Sequence, residues 1–299
     1  MNLGQVLASV FPAQLVTESF MQNAWIAGTT VAVVAALVGF FVVLRGASFV
    51  AHAVPRGSFA GAAGAALVGQ SSLLGLGVFA VLSALGIASL GGRRNYDAMV
   101  ALVLVTALGL GDLFLAIGNA YAPEVFALLF GQIVGISRPE VLDILGISAF
   151  TAVLVALAYR PLLLASVSPE VARTRGVRVG AVDLLFLLLV SVAATATVPV
   201  VGALLSFSLM VGPAASASLL ARSPRGAMGV GVALAVASVW VSVWLAYVSN
   251  WPIGFFVSAL CLAFYVAARL GARRRARSAP ARAGAGGEPT GPVLAAQAR

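Results

Sequence analysis

Few side chains in this sequence could hold a metal ion or act as a nucleophile. His52 is the one imidazole, set in Arg45-Gly-Ala-Ser48-Phe-Val-Ala-His52-Ala-Val-Pro55-Arg56-Gly57. Imidazole is the nitrogen ligand suited to zinc or manganese, and an ionisable group among apolar residues marks a functional site by default. The plainer reading of His52 is a hydrogen-bonded histidine packed at a helix end. Cys261 is the one thiol, in an apolar run, so no intrachain disulfide can form. One His and one Cys cannot close a structural zinc site. There is no second His, no G-x-S-x-G and no H-E-x-x-H, so no catalytic set can be assembled and the chain does not read as an enzyme. Asp97 reads as a helix cap, and Asp112 and Glu124 fall near the outer mouth of the threading given below.

The polar stretch Ser166-Val-Ser168-Pro169-Glu170-Val-Ala172-Arg173-Thr-Arg-Gly176-Val-Arg178 carries a different signal. Ser168 is a good N-cap, Pro169 suits the first helical position and Glu170 complements the positive helix end. Gly176 can end the helix at C′. The spacing predicts a helix of about two turns, either a capped connector or a docking helix for a cytoplasmic motor.

The elements that must position these residues follow from composition. Of 299 residues 61% are hydrophobic and 9% charged, with mean hydropathy +1.07. A soluble domain carries about 25% charged residues, so the chain cannot cover a water-facing surface. A soluble enzyme, a nucleic-acid reader and a disordered protein are excluded, leaving a polytopic helical membrane protein. Open sheet edges would leave backbone groups unpaired in lipid, and the alternation of a barrel is absent. All 18 basic residues are arginine, and between apolar spans arginines set topology.

Uncharged runs locate most spans, at residues 19–44, 57–92, 184–221 and 226–268, and further spans fit 98–118 and 142–159, which carry Asp112 and Asp143. The runs 57–92, 184–221 and 226–268 each fit two spans, with reversals at Gly69-Gln70-Ser71-Ser72, Pro199 to Gly202 and Ser249-Asn250-Trp251-Pro252. Val125 to Ile136 is too short to span and reads as a re-entrant or interfacial helix. About nine spans (eight to nine) result, with the N-terminus outside. Arg45, Arg93, Arg94, the connection holding Arg160, Arg173, Arg175 and Arg178, then Arg222, Arg225 and the final arginines all face the cytoplasm, and Arg138 is left outside. Small residues from Gly61 to Ala66 and at Gly75, Gly77 and Gly86 predict close helix approach. Pro55, Pro199 and Pro213 each remove a backbone hydrogen bond and predict broken helices along a transport path. The chain divides into an amphipathic interfacial segment at 1–22, a transmembrane domain at 23–270, and a disordered Arg/Ala/Gly/Pro tail at 271–299.

Several stretches, in order, also match a known pattern. These are Phe20-Met-Gln-Asn-Ala24 leading to Gly39-Phe-Phe-Val-Val-Leu-Arg45, Asp97-Ala-Met-Val-Ala101 with Leu108-Gly-Leu-Gly111, Leu129-Phe130-Gly131, the segment Ser168 to Gly176, Val201-Gly-Ala-Leu-Leu205, Pro213-Ala-Ala215 and Trp251-Pro-Ile-Gly254. From Phe20 to Leu270 the chain resembles the membrane permease subunit of bacterial ATP-binding-cassette importers for zinc, manganese and iron(II). The resemblance implies a plasma-membrane permease that pairs with a second permease, identical or not. Cytoplasmic ATPase subunits would dock on Ser168, Pro169, Glu170, Ala172, Arg173 and Gly176, and an extracytoplasmic solute-binding protein would deliver the ion. It implies no permanently bound cofactor, no nucleic acid, ATP only through the partner, and a transported divalent ion as cargo. It assigns His52 as a metal ligand and Ser48, Pro55 and Arg56 to the path.

Two departures stand out. The family's second span carries Asp-x-x-x-His followed by Leu-Pro-Gly. Here Ser48 stands in the Asp position and Pro55-Arg56-Gly57 replaces the break. A hard cation loses a carboxylate and meets a fixed positive charge. Either the ion passes through different ligands or a weaker gate, or this chain pairs with a second permease that retains the full site. A permease for a non-metal substrate or for a metal-chelate of the siderophore or cobalamin type, or an ion-coupled secondary transporter, are the alternative readings.

Overall fold

The computed structural model describes residues 18–90, 96–118, 128–131 and 133–278. Among these there is no strand. The helices are α1 (Ser19–Leu44), α2 (Ser48–Leu67), α3 (Ser72–Leu90), α4 (Tyr96–Ile117), α5 (Arg138–Val167), α6 (Pro169–Thr174), α7 (Val179–Val201), α8 (Ser206–Leu220), α9 (Pro224–Ser249) and α10 (Ile253–Ser278), with a 3-10 turn at Ile133–Gly135 before α5. The reversals at 69–72, 202 and 249–252 fall where turn residues predict them. Asn250 supplies the one left-handed non-glycine residue among those described, φ 56°, a conformation that asparagine tolerates.

Helices that are apolar all round belong inside a bundle or in lipid, and both cases occur. α1 and α7 form the centre. α1 packs on α5, α7, α8 and α9, and α7 on α3, α5, α1 and α2. α2, α3 and α4 build one flank, and α8, α9 and α10 the other. Outer faces carry Leu74, Val78 and Leu82 of α3, Leu102 and Val105 of α4, and Phe150 and Leu157 of α5, all exposed. Such a surface suits acyl chains and not water. α2 and α3 cross at Gly61 and Gly75, where a Cβ on either residue would overlap the other's carbonyl group. Buried hydroxyls add polar ties between helices: the Ser191 hydroxyl lies 2.8 Å from the Ala80 carbonyl oxygen, joining α7 to α3.

Among the described residues seven helices are long and apolar enough to cross a membrane: α1, α3, α4, α5, α7, α9 and α10. The expected nine are therefore not all of this kind. α8 has 15 residues, about 22 Å, short of the ~30 Å hydrocarbon core. α2 carries Ser48, His52 and Arg56 within its length.

Other expectations need correcting. The charge-free run placed the second span from Gly57, yet α2 begins at Ser48, because the uncharged-run criterion stops at an arginine that the helix does not. Arg160 lies inside α5 and not in a connection: α5 has 30 residues, about 45 Å, and continues past the bilayer boundary. Pro55 and Pro213 sit inside continuous helices, since losing one hydrogen bond leaves the flanking turns intact. Only the chain after Pro199 breaks, at Gly202. Asp97 lies in the first turn of α4, after Tyr96. α1 starts at Ser19 and α10 runs on to Ser278. The amphipathic expectation for 1–17, the positions of Arg93, Arg94 and Glu124, and the tail from 279 lie outside the described residues.

Candidate functional site

Backbone geometry sets which face of α2 is open. From Ser48 to Ala63 every residue is buried except Ser48, Phe49, His52 and Arg56. Ser48, His52 and Arg56 are spaced four apart, so they stand above one another on one helical face. Pro55 is buried on the covered side, where its carbonyl accepts from the Ser58 hydroxyl at 2.7 Å. The His52 ring meets the edge of Phe207 of α8 at 5.3 Å between centroids and lies nearly parallel to Phe49 at 6.4 Å. The open stripe thus continues from α2 onto α8 at Phe207, Ser208 and Val211, which are also half-open.

The stripe's chemistry is a hydroxyl, an imidazole and a guanidinium. The Nε of Arg56 is buried without a hydrogen-bond partner. Among the described residues no carboxylate pairs with Arg56 and no group of three His, Cys, Asp or Glu side chains could hold a metal ion. α1, α2, α8, α9 and α10 carry no Asp or Glu at all. Within this chain a cation on the stripe would meet one metal ligand and a hydroxyl.

At one end of the bundle three separate motifs form a single joint. The amide of Ala203 donates to the Leu128 carbonyl at 2.9 Å, and that of Leu204 to the Leu129 carbonyl at 3.1 Å. Gly131 (φ 81°) and Gly202 (φ 93°) bring the two backbones into contact, and a Cβ on either would overlap the opposite main chain. Leu205 then packs on Gly254. So Leu129-Phe-Gly131, Val201 to Leu205 and Trp251 to Gly254 meet, beside an open cavity of about 840 Å³ lined by Phe20, Met21, Ile133, Tyr247 and Trp251. Asn23 ties this end of α1 to Ile136 through its side-chain amide, 3.2 Å. The described part of the 125–136 segment belongs here, as a short helical stretch at 128–130 and the 3-10 turn at Ile133–Gly135.

The opposite end holds α6. Ser168 is its N-cap, accepting from the Val171 amide at 3.5 Å, Pro169 opens the helix and Glu170 lies in its first turn. Gly176 follows at φ 77°. Ala172 is fully buried, whereas Glu170, Val171, Arg173 and Arg175 face outward. The capping signals therefore locate this helix, with Ala172 seating it and the charged residues left free. What they do not reveal is a neighbouring cluster. Arg45 at the end of α1 donates from Nη1 to Asp183 at 2.7 Å and from Nε to the Ser166 hydroxyl at 2.9 Å, and its guanidinium lies 4.7 Å from the Phe186 ring centre. The available signal was an arginine one residue past a span, which reads as a topology marker.

A family model described as the ABC 3 transport family matches residues 17–271. The chain belongs to the ABC 3 transport family. It is 30% identical over 270 residues to the manganese transport system membrane protein MntC of Halalkalibacterium halodurans, covering 88% of this chain and 92% of that protein. It is 26% identical to the manganese import system permease protein ScaB of Streptococcus parasanguinis, covering 83% of this chain and 89% of that one. Among solved structures, PsaBC from Streptococcus pneumoniae in complex with Fab shares the fold, with TM-score 0.78 and 24% identity over 85% of this chain and 92% of that one. This ABC 3 family member is a multi-pass membrane protein of the bacterial plasma membrane. The family match spans the stripe, the joint and α6 alike.

Proposed function

We propose that this chain is the permease subunit of an ATP-binding-cassette importer that moves a divalent metal ion, manganese foremost, across the plasma membrane. The observation that carries this is the family match over residues 17–271, together with curated manganese-transport relatives aligned along nearly their whole length. We read α2 and the shorter α8 as the two remaining crossings, which the chain order supports: α2 follows the Arg45 end of α1, and α8 leads from the joint at 202–205 toward Arg222. Arg45, Arg173, Arg175, Arg178, Arg222, Arg225 and Arg269 gather toward the α6 end, which supports that end as cytoplasmic. ATPase subunits dock on Ser168, Pro169, Glu170, Ala172, Arg173 and Gly176. A solute-binding protein delivers the ion at the joint end, and a second permease covers the open stripe of α2 and α8.

In this reading Ser48 and His52 are transient ligands on the path. Pro55 fixes the buried turn behind them, and Arg56 keeps a cation from resting. A path must bind weakly enough to release, and a lone imidazole beside a fixed positive charge meets that need. ATP binding and hydrolysis in the partner bias inward-facing against outward-facing states. The chain's lack of a Walker motif accords with this division of labour.

The test is manganese accumulation in cells whose only copy is wild type, His52→Ala or Glu170→Arg. Both variants should accumulate less, and Glu170→Arg should also lose the co-purifying ATPase. Accumulation independent of the chain, or uptake by Glu170→Arg without any ATPase, would sink the reading and favour an ion-coupled transporter.

A further inference from the structure

Arg45 is costly to place if its task were only to mark the cytoplasmic side. A topology-setting charge acts as well from water, yet the Arg45 side chain is 11% exposed, and burying a guanidinium is unfavourable unless partners compensate. Three do so in part, Asp183, the Ser166 hydroxyl and the face of Phe186, while Nη2 stays buried without a hydrogen-bond partner. Each sits on a particular element. Ser166 is in the last turn of α5, two residues before the N-cap of α6. Asp183 and Phe186 are in the first turns of α7, just after α6. Arg45 caps α1. One guanidinium therefore closes the loop from 166 to 183 at its base, with α6 at the tip.

The rest of the geometry fits a mechanical link. The Ser166 hydroxyl accepts from Arg45 and donates to the Leu162 carbonyl, so the fork is anchored in the α5 backbone. α6 contributes its own contact through Ala172, which is fully buried. α1 is the most central helix together with α7, and its 26 residues reach about 39 Å. At its far end Asn23 holds Ile136, beside the joint. A cavity of about 480 Å³ lined by Arg45, Tyr96, Pro169 and Asp183 lies beside the cluster, leaving space for α6 to shift. Asp183 is 54% exposed, so its ion pair is of the kind that contributes little to stability. Its value lies in geometry.

We propose that Arg45, with Asp183 and Ser166, is a positioning latch that transmits movement of α6 to α1, so that ATP hydrolysis by the docked subunits is converted into rearrangement of the permease. The latch rests on the permease reading above. Without it the ATPase still docks on α6 and hydrolyses ATP, but the push is dissipated between α5 and α7 and does not reach the joint.

The experiment uses the full-length chain with its native ATPase and solute-binding partners, purified from membranes, reconstituted in vesicles and supplied with manganese ion. Manganese moved per ATP hydrolysed is compared for wild type, Asp183→Asn, Asp183→Glu, Ser166→Ala and Arg45→Gln. Asp183→Asn and Ser166→Ala should lower the ratio roughly fivefold, the lower end of ordinary coupling between sites. ATPase recovery should be unchanged and thermal unfolding shifted by no more than about 2 °C. Asp183→Glu should keep the ratio. An unchanged ratio in all of the charge- and hydroxyl-removing variants overturns the latch, as does a ratio that falls only in step with loss of folded complex. If Arg45→Gln does not fold, Asp183→Asn and Ser166→Ala decide alone. A wild-type chain that captures no ATPase overturns the permease reading as well, whereas an unchanged ratio in an ATPase-bearing complex overturns the latch only.

Discussion

Replacing Gly131 with Ala tests the joint directly. Gly131 has φ 81°, and a Cβ there would overlap the Val201 carbonyl and the Gly202 amide. A non-glycine residue in left-handed backbone costs about 1–2 kcal/mol. Relieving the overlap pushes residues 128–131 away from 201–204, which stretches the Ala203–Leu128 and Leu204–Leu129 hydrogen bonds. Each contributes about 1 kcal/mol net, more where the freed groups stay buried. Gly131→Ala should therefore destabilise by about 3–5 kcal/mol, a large part of the ~5–15 kcal/mol of a typical domain. The control is Gly146→Ala. Gly146 is mid-helix in α5 with open space where a Cβ would go, so this change should stabilise by about 0.5–1 kcal/mol. Equilibrium unfolding in SDS titrations of the purified proteins gives both numbers. Equal midpoints for Gly131→Ala and Gly146→Ala would refute the geometry given for the joint.

Other outcomes follow from the same structure. Ser168→Ala removes the α6 cap and should cost about 1 kcal/mol locally, read as reduced ATPase recovery while the chain's own unfolding midpoint holds. Arg56→Gln removes a fixed charge about one turn from His52, where repulsion of a cation is of order a few kcal/mol at an effective dielectric near 20. Without that repulsion the ion should rest longer on the path, so manganese uptake should fall in Arg56→Gln cells, and a rise would contradict the role given to Arg56. Gly61→Leu drives a side chain into the Gly75 carbonyl and should abolish folded protein, checked by recovery of a monodisperse species on size exclusion.

Much of this was legible in the sequence because membrane physics leaves few options. The charge-free run between Glu18 and Arg45 located α1 to the residue, glycine, proline and asparagine inside the longer runs located the reversals, and capping chemistry located α6 with its Gly176 stop. The start of α2 was hidden because Arg56 lies within the helix, on its half-open face, and a charge-free run stops at any arginine. The Arg45–Asp183 pair was hidden because its partners are 138 residues apart and each reads as an ordinary charge near a span end. The joint was legible as three separate glycine-bearing motifs, but their meeting is a fact of tertiary packing that linear spacing does not encode.

The open stripe of α2 bears on how the protein is made. During synthesis α2 emerges before α3 and α4, the helices that cover most of it, and well before α7 and α8. A guanidinium at its middle costs ~2.5–3.5 kcal/mol in a lone helix crossing a bilayer, and α2 is not among the helices apolar enough to cross unaided. Its insertion therefore depends on companions: the Gly61–Gly75 crossing lets α3 pull it in as a hairpin. Arg56 stays on the half-open face of α2 even when the rest of the chain has packed, so under the proposed pairing with a second permease, assembly is the step that would finish shielding this charge.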